Sequence, residues 1–416
     1  MNNSNNKLTP LEKYWVLYDV GNSAFILLVS TIIPIYFKNV ATLNGISAAN
    51  STAYWGYAIS ISTLIVAIIG PVLGTLADTK GFKKPLFTIF LMVGVIGCSA
   101  LSLNLSWLAF LYVFVIAKVG VSGSLIFYDA MLSDVTTDEK MDFLSSSGYA
   151  WGYIGSCIPF TISLAIILFA DRLSLTSGTA TQIAFTLIAL WWLIVSIPLL
   201  KNYKQVHYVE AERNAFKKSF IRLKNIFKDI KNQKEIFTFL LAFFFYIDGV
   251  YTIIEMATSY GKDVGIGDNS LLFALLLTQV IAFPFALIFG KLSKKYKTKD
   301  LINVSIIGYF LIAIFALQLD KAWEFWFLAV CVAMFQGAIQ AFSRSYFAKI
   351  IPKEKSSEYF GFFDIFGKGA SFTGAFLMGI TTQISGNSKT GVAFIAIMFI
   401  IGFLIFNKSV KMQAKL

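Results

Sequence analysis

Charged residues are few in this chain. Asp, Glu, Lys and Arg make up only 14% of its 416 residues, against roughly a quarter in soluble domains. With no long polar stretch anywhere, that deficit excludes a large soluble domain. Histidine is almost missing, since His207 is the single one. It stands in a charged loop with no cysteine or second histidine beside it, which removes the usual zinc sites and leaves no metal or cofactor to assign. The three cysteines, Cys98, Cys157 and Cys331, fall in apolar runs, and an odd set so placed argues against a disulfide framework. Enzyme chemistry also lacks its usual parts, for there is no HExxH and no GxSxG. The stretch GFFDIFGKG (361–369) mimics a phosphate loop but has five residues between its glycines and no Ser or Thr after Lys368, so an ATP-driven process is not supported. No catalytic residue is assigned.

Hydrophobicity is what the chain has in excess. Apolar residues reach 57%, with 41 Phe and 8 Trp, and the mean hydropathy is +0.70. A membrane span needs about 20 mainly apolar residues. Twelve such stretches follow one another, at 14–37, 54–76, 85–103, 107–132, 146–170, 181–200, 235–257, 269–290, 300–319, 323–349, 360–383 and 390–407. The first is too long for a signal peptide and is expected to be an uncleaved span. With both termini cytoplasmic, five of the 35 Lys and Arg lie outside (Lys38, Arg172, Lys262, Lys321, Lys389), four lie within spans, and the other 26 lie inside. That asymmetry sets the orientation. The net charge of +12 then reflects topology and attraction to anionic lipid headgroups, not nucleic-acid binding. A multi-pass protein of the cell membrane, monomeric, is expected.

One long connection divides the spans six and six. The expected organisation is a lobe over 1–200, a cytoplasmic linker over 201–234 and a second lobe over 235–416. In the linker, Phe216, Phe220, Leu223, Phe227 and Ile230 recur at helical spacing between lysines, a pattern that predicts an amphipathic helix on the cytoplasmic leaflet. The halves also repeat. GTLADTKGFKK (74–84) and GKLSKKYKTKD (290–300) follow the second and eighth spans at an offset of 216. TDEKMDFLSSSGYAWGYIGS (137–156) and PKEKSSEYFGFFDIFGKGAS (352–371) follow the fourth and tenth at an offset of 215. Parallel six-span repeats are how two-lobed transporters are built.

The first of these loops resembles the cytoplasmic loop motif of the major facilitator superfamily: glycine-x-leucine-alanine-aspartate, then glycine and basic residues. LYDVGNSAF in span 1, FYDAMLSDV ending span 4, SSSGYAWGYIGS opening span 5 and FQGAIQAFSRSYFAKIIPKEKSSEYFGF across spans 10 and 11 together resemble the vacuole-effluxer family of that superfamily, over about residues 14 to 383. Its bacterial members form the unknown major facilitator family 1. The resemblance implies an all-α membrane protein of twelve transmembrane helices in two six-helix lobes, with spans 1, 4, 7 and 10 around a central cavity. It also implies export, since the family's yeast vacuolar member is associated with amino-acid efflux. In one departure, Lys294 stands where the second-half loop would hold an acid, which predicts a weaker latch there.

The residues bear on that cavity independently. Span 1 carries Asp19, Asn22 and Ser23; span 4 Lys118, Ser122 and Asp129; span 7 Asp248, Thr252 and Glu255; span 10 Gln336, Gln340 and Arg344. Each set shares one helix face. An ionisable group inside a bilayer costs a few kcal/mol or more unless paired or wetted, so it survives mainly where it works. Asp19, Asn22, Lys118, Asp129, Asp248, Glu255, Gln336, Gln340 and Arg344 are therefore candidate substrate or coupling-ion residues. The acids among them, Asp19, Asp129, Asp248 and Glu255, are the candidate proton carriers. The alternative is structural pairing, as Asp19–Lys118 or Asp129–Arg344. Asp364 and Lys368, four apart on span 11, are expected to satisfy each other.

The loop motif predicts a gating latch made of Gly74, Asp78, Gly81, Lys83, Lys84 and Asp134. Asp78 can accept from free N–H groups at a neighbouring helix N-terminus, and Lys80, Lys83 and Lys84 can meet acids such as Asp134. The expectation is a secondary active transporter, not an enzyme, working by alternating access on a small solute and coupled to protons. Export of a metabolite or amino acid leads. Lipid or lysolipid flipping, nutrient import and, in another class, an intramembrane enzyme are the alternatives.

Overall fold

The computed structural model describes residues 7–210, 233–263, 268–319, 321–385 and 388–413. The amphipathic helix expected over Phe216–Ile230 lies outside the described residues. Helices dominate: α1 (Pro10–Ser30), α2 (Ile32–Leu43), α3 (Ala48–Ala77), α4 (Lys83–Ala100), α5 (Trp107–Ala130), α6 (Leu132–Val135) and α7 (Asp138–Leu168). They continue with α8 (Ser177–Asn202), α9 (Lys234–Asp263), α10 (Asp268–Leu292), α11 (Thr298–Ala316), α12 (Ala322–Ile350), α13 (Ser356–Ser385) and α14 (Ser388–Gln413). Among the described residues, eleven stretches are long and apolar enough to cross a membrane, α1 and α2 counting as one. With the 30-residue α13, these are the twelve spans that the hydropathy predicts.

The first span differs from a single rod. Thr9 caps α1 through a capping box with Glu12, and Pro10 takes the first helical position, where its missing N–H is harmless. The helix then breaks at Thr31, whose φ of −128° and ψ of −73° are not helical. Pro34 is the physical reason, because its ring clashes with the carbonyl four residues back, that of Ser30. Thr31 N turns to Leu28 O at 3.3 Å, and Leu27 O, left without that N–H, accepts from Thr31 Oγ1 at 2.6 Å.

By contacts the residues form two compact units. One comprises Met1–Thr136, Trp151–Phe216 and Glu354–Gly361; the other comprises Thr137–Ala150, Lys217–Lys353 and Phe362–Leu416. Two helices are therefore shared, since α7 gives its first turns to the second unit and α13 gives its own to the first.

Each unit is cored by aromatic rings around one repeated contact. In the first, Trp15 stacks on Tyr128 at 4.4 Å and Tyr18 Oη lies 2.6 Å from Ser124 Oγ. In the second, Phe239 packs on Phe347 at 5.8 Å and Tyr246 Oη lies 2.7 Å from Ser343 Oγ. Each Tyr–Ser bond ties the first long span of a half to its fourth and gives a buried hydroxyl the partner it needs.

Candidate functional site

The loop after α3 is held at atomic detail within the first unit. Asp78 is the C-cap residue of α3 and is 2% exposed. Its Oδ1 accepts the Ser357 N–H and its Oδ2 the Glu358 N–H, both at 2.9 Å. These are among the N–H groups that open α13 and that no intrahelical carbonyl can reach. A carboxylate there also meets the positive end of the helix dipole. Gly74 makes this approach feasible, because a Cβ at that position would overlap the Ser357 carbonyl. Burial outweighs these bonds and the nearby Lys83 ammonium, so the Asp78 carboxyl is pushed up to about 6.

Lys83 and Asp134 form the neighbouring pair, with Nζ 3.1 Å from Oδ2 and neither side chain exposed. Lys83 Nζ also donates to Ser356 Oγ at 3.0 Å, so the same lysine serves Asp134 and the first residue of α13. Lys80 reaches Glu210 at 3.3 Å instead of Asp134, and Lys84 stands half-buried one residue on. Gly81 has φ +81°, a conformation that suits glycine.

Sequence reasoning missed what completes this cluster. The segment from Tyr203 to Glu210, just after α8, lies against the loop. Val209 donates to Asp78 O at 2.8 Å, and Lys80 N donates to Val209 O at 3.0 Å. Gln205 accepts from Gly81 N at 3.0 Å and donates to Ala77 O at 3.0 Å. Tyr203 donates to Asp134 Oδ2, while His207 N and Nδ1 stand 2.8 and 3.0 Å from Asp134 Oδ1. Burial, reinforced by the Asp134 charge, pushes the Tyr203 phenol up. The lone histidine thus serves a carboxylate. No sequence motif marks this strap, because its backbone bonds carry no side-chain signature.

The candidate cavity residues are distributed over α1, α5, α9 and α12. Asp19 is 6% exposed and accepts from Asn22 Nδ2 at 3.3 Å; the same amide donates to Tyr18 O at 3.0 Å. Gly152 of α7 packs here, with room at its Cα for the backbone of Asp19 and for Ser23 Oγ. Lys118 and Asp129 are half-buried on α5. In the second unit Asp248 is 1% exposed. Gly374 of α13 lies against it, and a Cβ there would overlap both Asp248 Oδ1 and Thr252 Oγ1. Thr252 and Gln336 line one cavity of about 100 Å³ in this unit, otherwise mostly apolar, with Thr278 its other polar wall residue. Gln340 Nε2 donates to Gln336 O at 3.1 Å. The side chain of Glu255 lies outside the described ones.

Arg344 does something the periodicity does not reveal. It is 2% exposed, donates through Nε to Ser145 Oγ at 2.9 Å and through Nη2 to Ser145 O at 3.1 Å, and lies 4.5 Å over the Tyr149 ring. These contacts join α12 to the start of α7. Lys368 and Asp364 pair at 2.7 Å. Among the described residues, no group of three or more His, Cys, Asp or Glu could hold a metal ion.

The fold is shared with solved transporters. The fucose transporter FucP in its outward conformation matches with a TM-score of 0.73 at 14% identity, over 96% of this chain and 97% of that one. The human organic anion transporter MFSD10 matches with a TM-score of 0.72 at 13% identity, over 97% and 100%. Twelve membrane helices of this arrangement and these likenesses define the fold of the major facilitator superfamily.

Within that superfamily, the family described as "Vacuole effluxer Atg22 like" matches residues 11–415. A Bacillus subtilis protein named "Uncharacterized MFS-type transporter YxiO" is 45% identical over 96% of this chain and 94% of its own length. "Autophagy-related protein 22" of Saccharomyces cerevisiae is 24% identical over 95% and 90%. The chain belongs to the Atg22-like vacuole effluxer family.

Proposed function

We propose that this transporter works by alternating access, exports a small metabolite or amino acid from the cytoplasm and draws on protons. The observation that carries alternating access is the Asp78 cap on α13. A carboxylate from the loop after α3 holds the first turn of a helix whose later turns belong to the other unit. Such a bond has two natural states, made and broken, and a carrier needs a bistable element of that kind. Gly74, Lys83, Lys84, Gly81 and Asp134 support the made state.

Export is supported by the family's description as effluxers. Proton coupling rests on Asp19 and Asp248, acids kept inside apolar helices at 6% and 1% exposure, where a fixed charge is costly. Asp129 and Glu255 complete the candidate acids, and Lys118, Asn22, Gln336, Gln340 and Arg344 the polar walls. Lobes over 1–200 and 235–416 are supported by the long connection and the internal repeat, and cytoplasmic termini in the cell membrane by the charge bias.

The test uses purified protein in liposomes loaded with amino acids, sugars and organic acids, with a pH gradient imposed. Mass spectrometry of the external medium should show one class leaving faster than from empty liposomes, and dissipating the gradient should slow it. Release of no solute, or turnover of the lipid itself, would overturn the reading in favour of a flippase or an enzyme.

A further inference from the structure

The cavity of about 100 Å³ has one polar end in an otherwise apolar wall. Thr252 of α9, Thr278 of α10 and Gln336 of α12 make that end, and all three belong to the second unit. Thr252 is the odd member. It is 0% exposed, and its Oγ1 is buried with no hydrogen-bond partner among the described residues. A threonine inside a helix commonly returns its hydroxyl to the carbonyl four residues back. Thr278 does so, donating to Ala274 O at 2.8 Å, which leaves its oxygen free to accept. Thr252 makes no such bond.

Buried hydroxyls in folded proteins find a partner, either protein or ordered water. A cavity lined only by carbon stays dry, whereas one where two to four polar groups converge holds water. Here three polar side chains from three helices meet. One water takes about 30 Å³ of liquid, so the space admits about three.

Asp248 stands one helical turn before Thr252 on α9. A Cβ on Gly374 would lie 2.2 Å from Asp248 Oδ1 and 2.1 Å from Thr252 Oγ1. Both oxygens thus face the same spot on α13, within reach of one bridging water. We propose that the polar end of this cavity is a water site, held by Thr252, Thr278 and Gln336, through which Asp248 exchanges its proton. A hydronium that reaches the site leaves its proton on the Asp248 carboxylate and stays as the water bound there. Release runs the same step backwards. Thr252 is a positioning residue, because it holds the water and keeps its own proton. The apolar remainder of the wall limits hydration to a few molecules, so the proton has one short path.

This inference rests on proton coupling at Asp248, and its test keeps the two apart. Hydroxyl radicals formed by an X-ray pulse oxidise side chains that touch water. Met378 and Met398 are both 4% exposed, and of the two only Met378 lines the cavity. In full-length protein in nanodiscs, mass spectrometry should find Met378 oxidised several times faster than Met398. Thr252→Val keeps the branched shape and removes the hydroxyl, so it should bring Met378 down to the Met398 rate. Thr252→Ser should restore the difference. If Thr252→Val does not fold, Thr278→Val carries the same comparison. In liposomes, Thr252→Val should weaken the response of solute release to the pH gradient several-fold, and Thr252→Ser should recover it. Met378 no faster than Met398 in the wild type would overturn the water site; a gradient response lost in Asp248→Asn would still leave proton coupling standing. A full gradient response in Thr252→Val, beside its loss in Asp248→Asn, would overturn the path through this site alone. A full response in both variants would overturn proton coupling at Asp248 and this inference with it.

Discussion

Asp78 and Ser357 stand 279 residues apart in sequence, and the carboxylate of one accepts the backbone N–H of the other at 2.9 Å. The next N–H, that of Glu358, goes to the second carboxylate oxygen. One side chain therefore satisfies two helix-end donors that belong to the opposite half of the chain. Hydrogen bonds to a charged group contribute about 1.5–3 kcal/mol each, large enough to hold a helix start and small enough to be released.

Asp78→Asn keeps the size of the side chain but turns one acceptor into a donor that faces an N–H. The protein should fold, with backbone amides of residues 356–361 exchanging hydrogen faster by roughly a factor of ten or more, as expected for losing about 1.5 kcal/mol or more. Unchanged exchange in that segment would show that the cap does not hold α13.

The same carboxyl should give the protein a pH signature. Burial pushes it up to about 6 in the folded chain from the ordinary 3.8 of an exposed aspartate, so the folded state binds the proton more readily than the unfolded one. The stability from this group is fully present below about pH 4 and is lost as pH rises through about 6. A shift of this size corresponds to at most about 3 kcal/mol. Melting temperatures of wild type and Asp78→Asn, compared at pH 4.5 and pH 7, should show wild type relatively more stable at the lower value. A difference between them independent of pH would contradict the burial argument.

Gly374→Ala should be costly, because its Cβ would overlap Asp248 Oδ1 and Thr252 Oγ1. Forcing a methyl into such a contact costs about 1–3 kcal/mol, and the melting temperature should fall by several degrees. Gly369→Ala on the same helix, where a Cβ would meet nothing within 4 Å, serves as the control and should melt at or above wild type. Equal behaviour of the two would remove Gly374 as the residue that admits the Asp248 side chain.

Asp19→Asn should keep expression and melting temperature near wild type and abolish uphill movement of whichever solute the liposome screen identifies. An acid inside apolar helices costs stability, so neutralising it does not unfold the chain. A structural ion pair would behave otherwise, since stranding its partner costs about 3–5 kcal/mol. A large fall in melting temperature, reversed by adding Lys118→Met, would assign Asp19 to structure.

Orientation is checked by labelling intact cells. A cysteine placed at Asn44, after α2, should react with an external impermeant reagent, and one at Lys295, after α10, should not. Reaction at Lys295 would invert the topology drawn from the Lys and Arg bias.

The twelve spans, the internal repeat and the family were all legible in the order of residues. Apolar runs of span length arise from a solvent that tolerates no unpaired backbone, so they are written locally. The loop motif at 74–84 and the polar faces of α1, α5, α9 and α12 were legible for the same reason, as spacing along a single helix. The break at Thr31 was not read: hydropathy ran the first span straight through it, and Pro34 explains it only once the helix is seen.

What required the tertiary structure is every bond that links residues far apart. His207 reads in sequence as a stray loop residue, and only folding brings it to Asp134, beside Tyr203 and Lys83. Arg344 reads as part of a cavity stripe, yet its guanidinium goes to Ser145, 199 positions away. Asp142 lies in the repeated stretch 137–156, which gives no sign that it pairs with Lys349. A helix periodicity states which residues share a face and is silent on what that face meets. That choice is made by packing, when the starts of α7 and α13 leave their own halves and their unpaired ends take partners from the other.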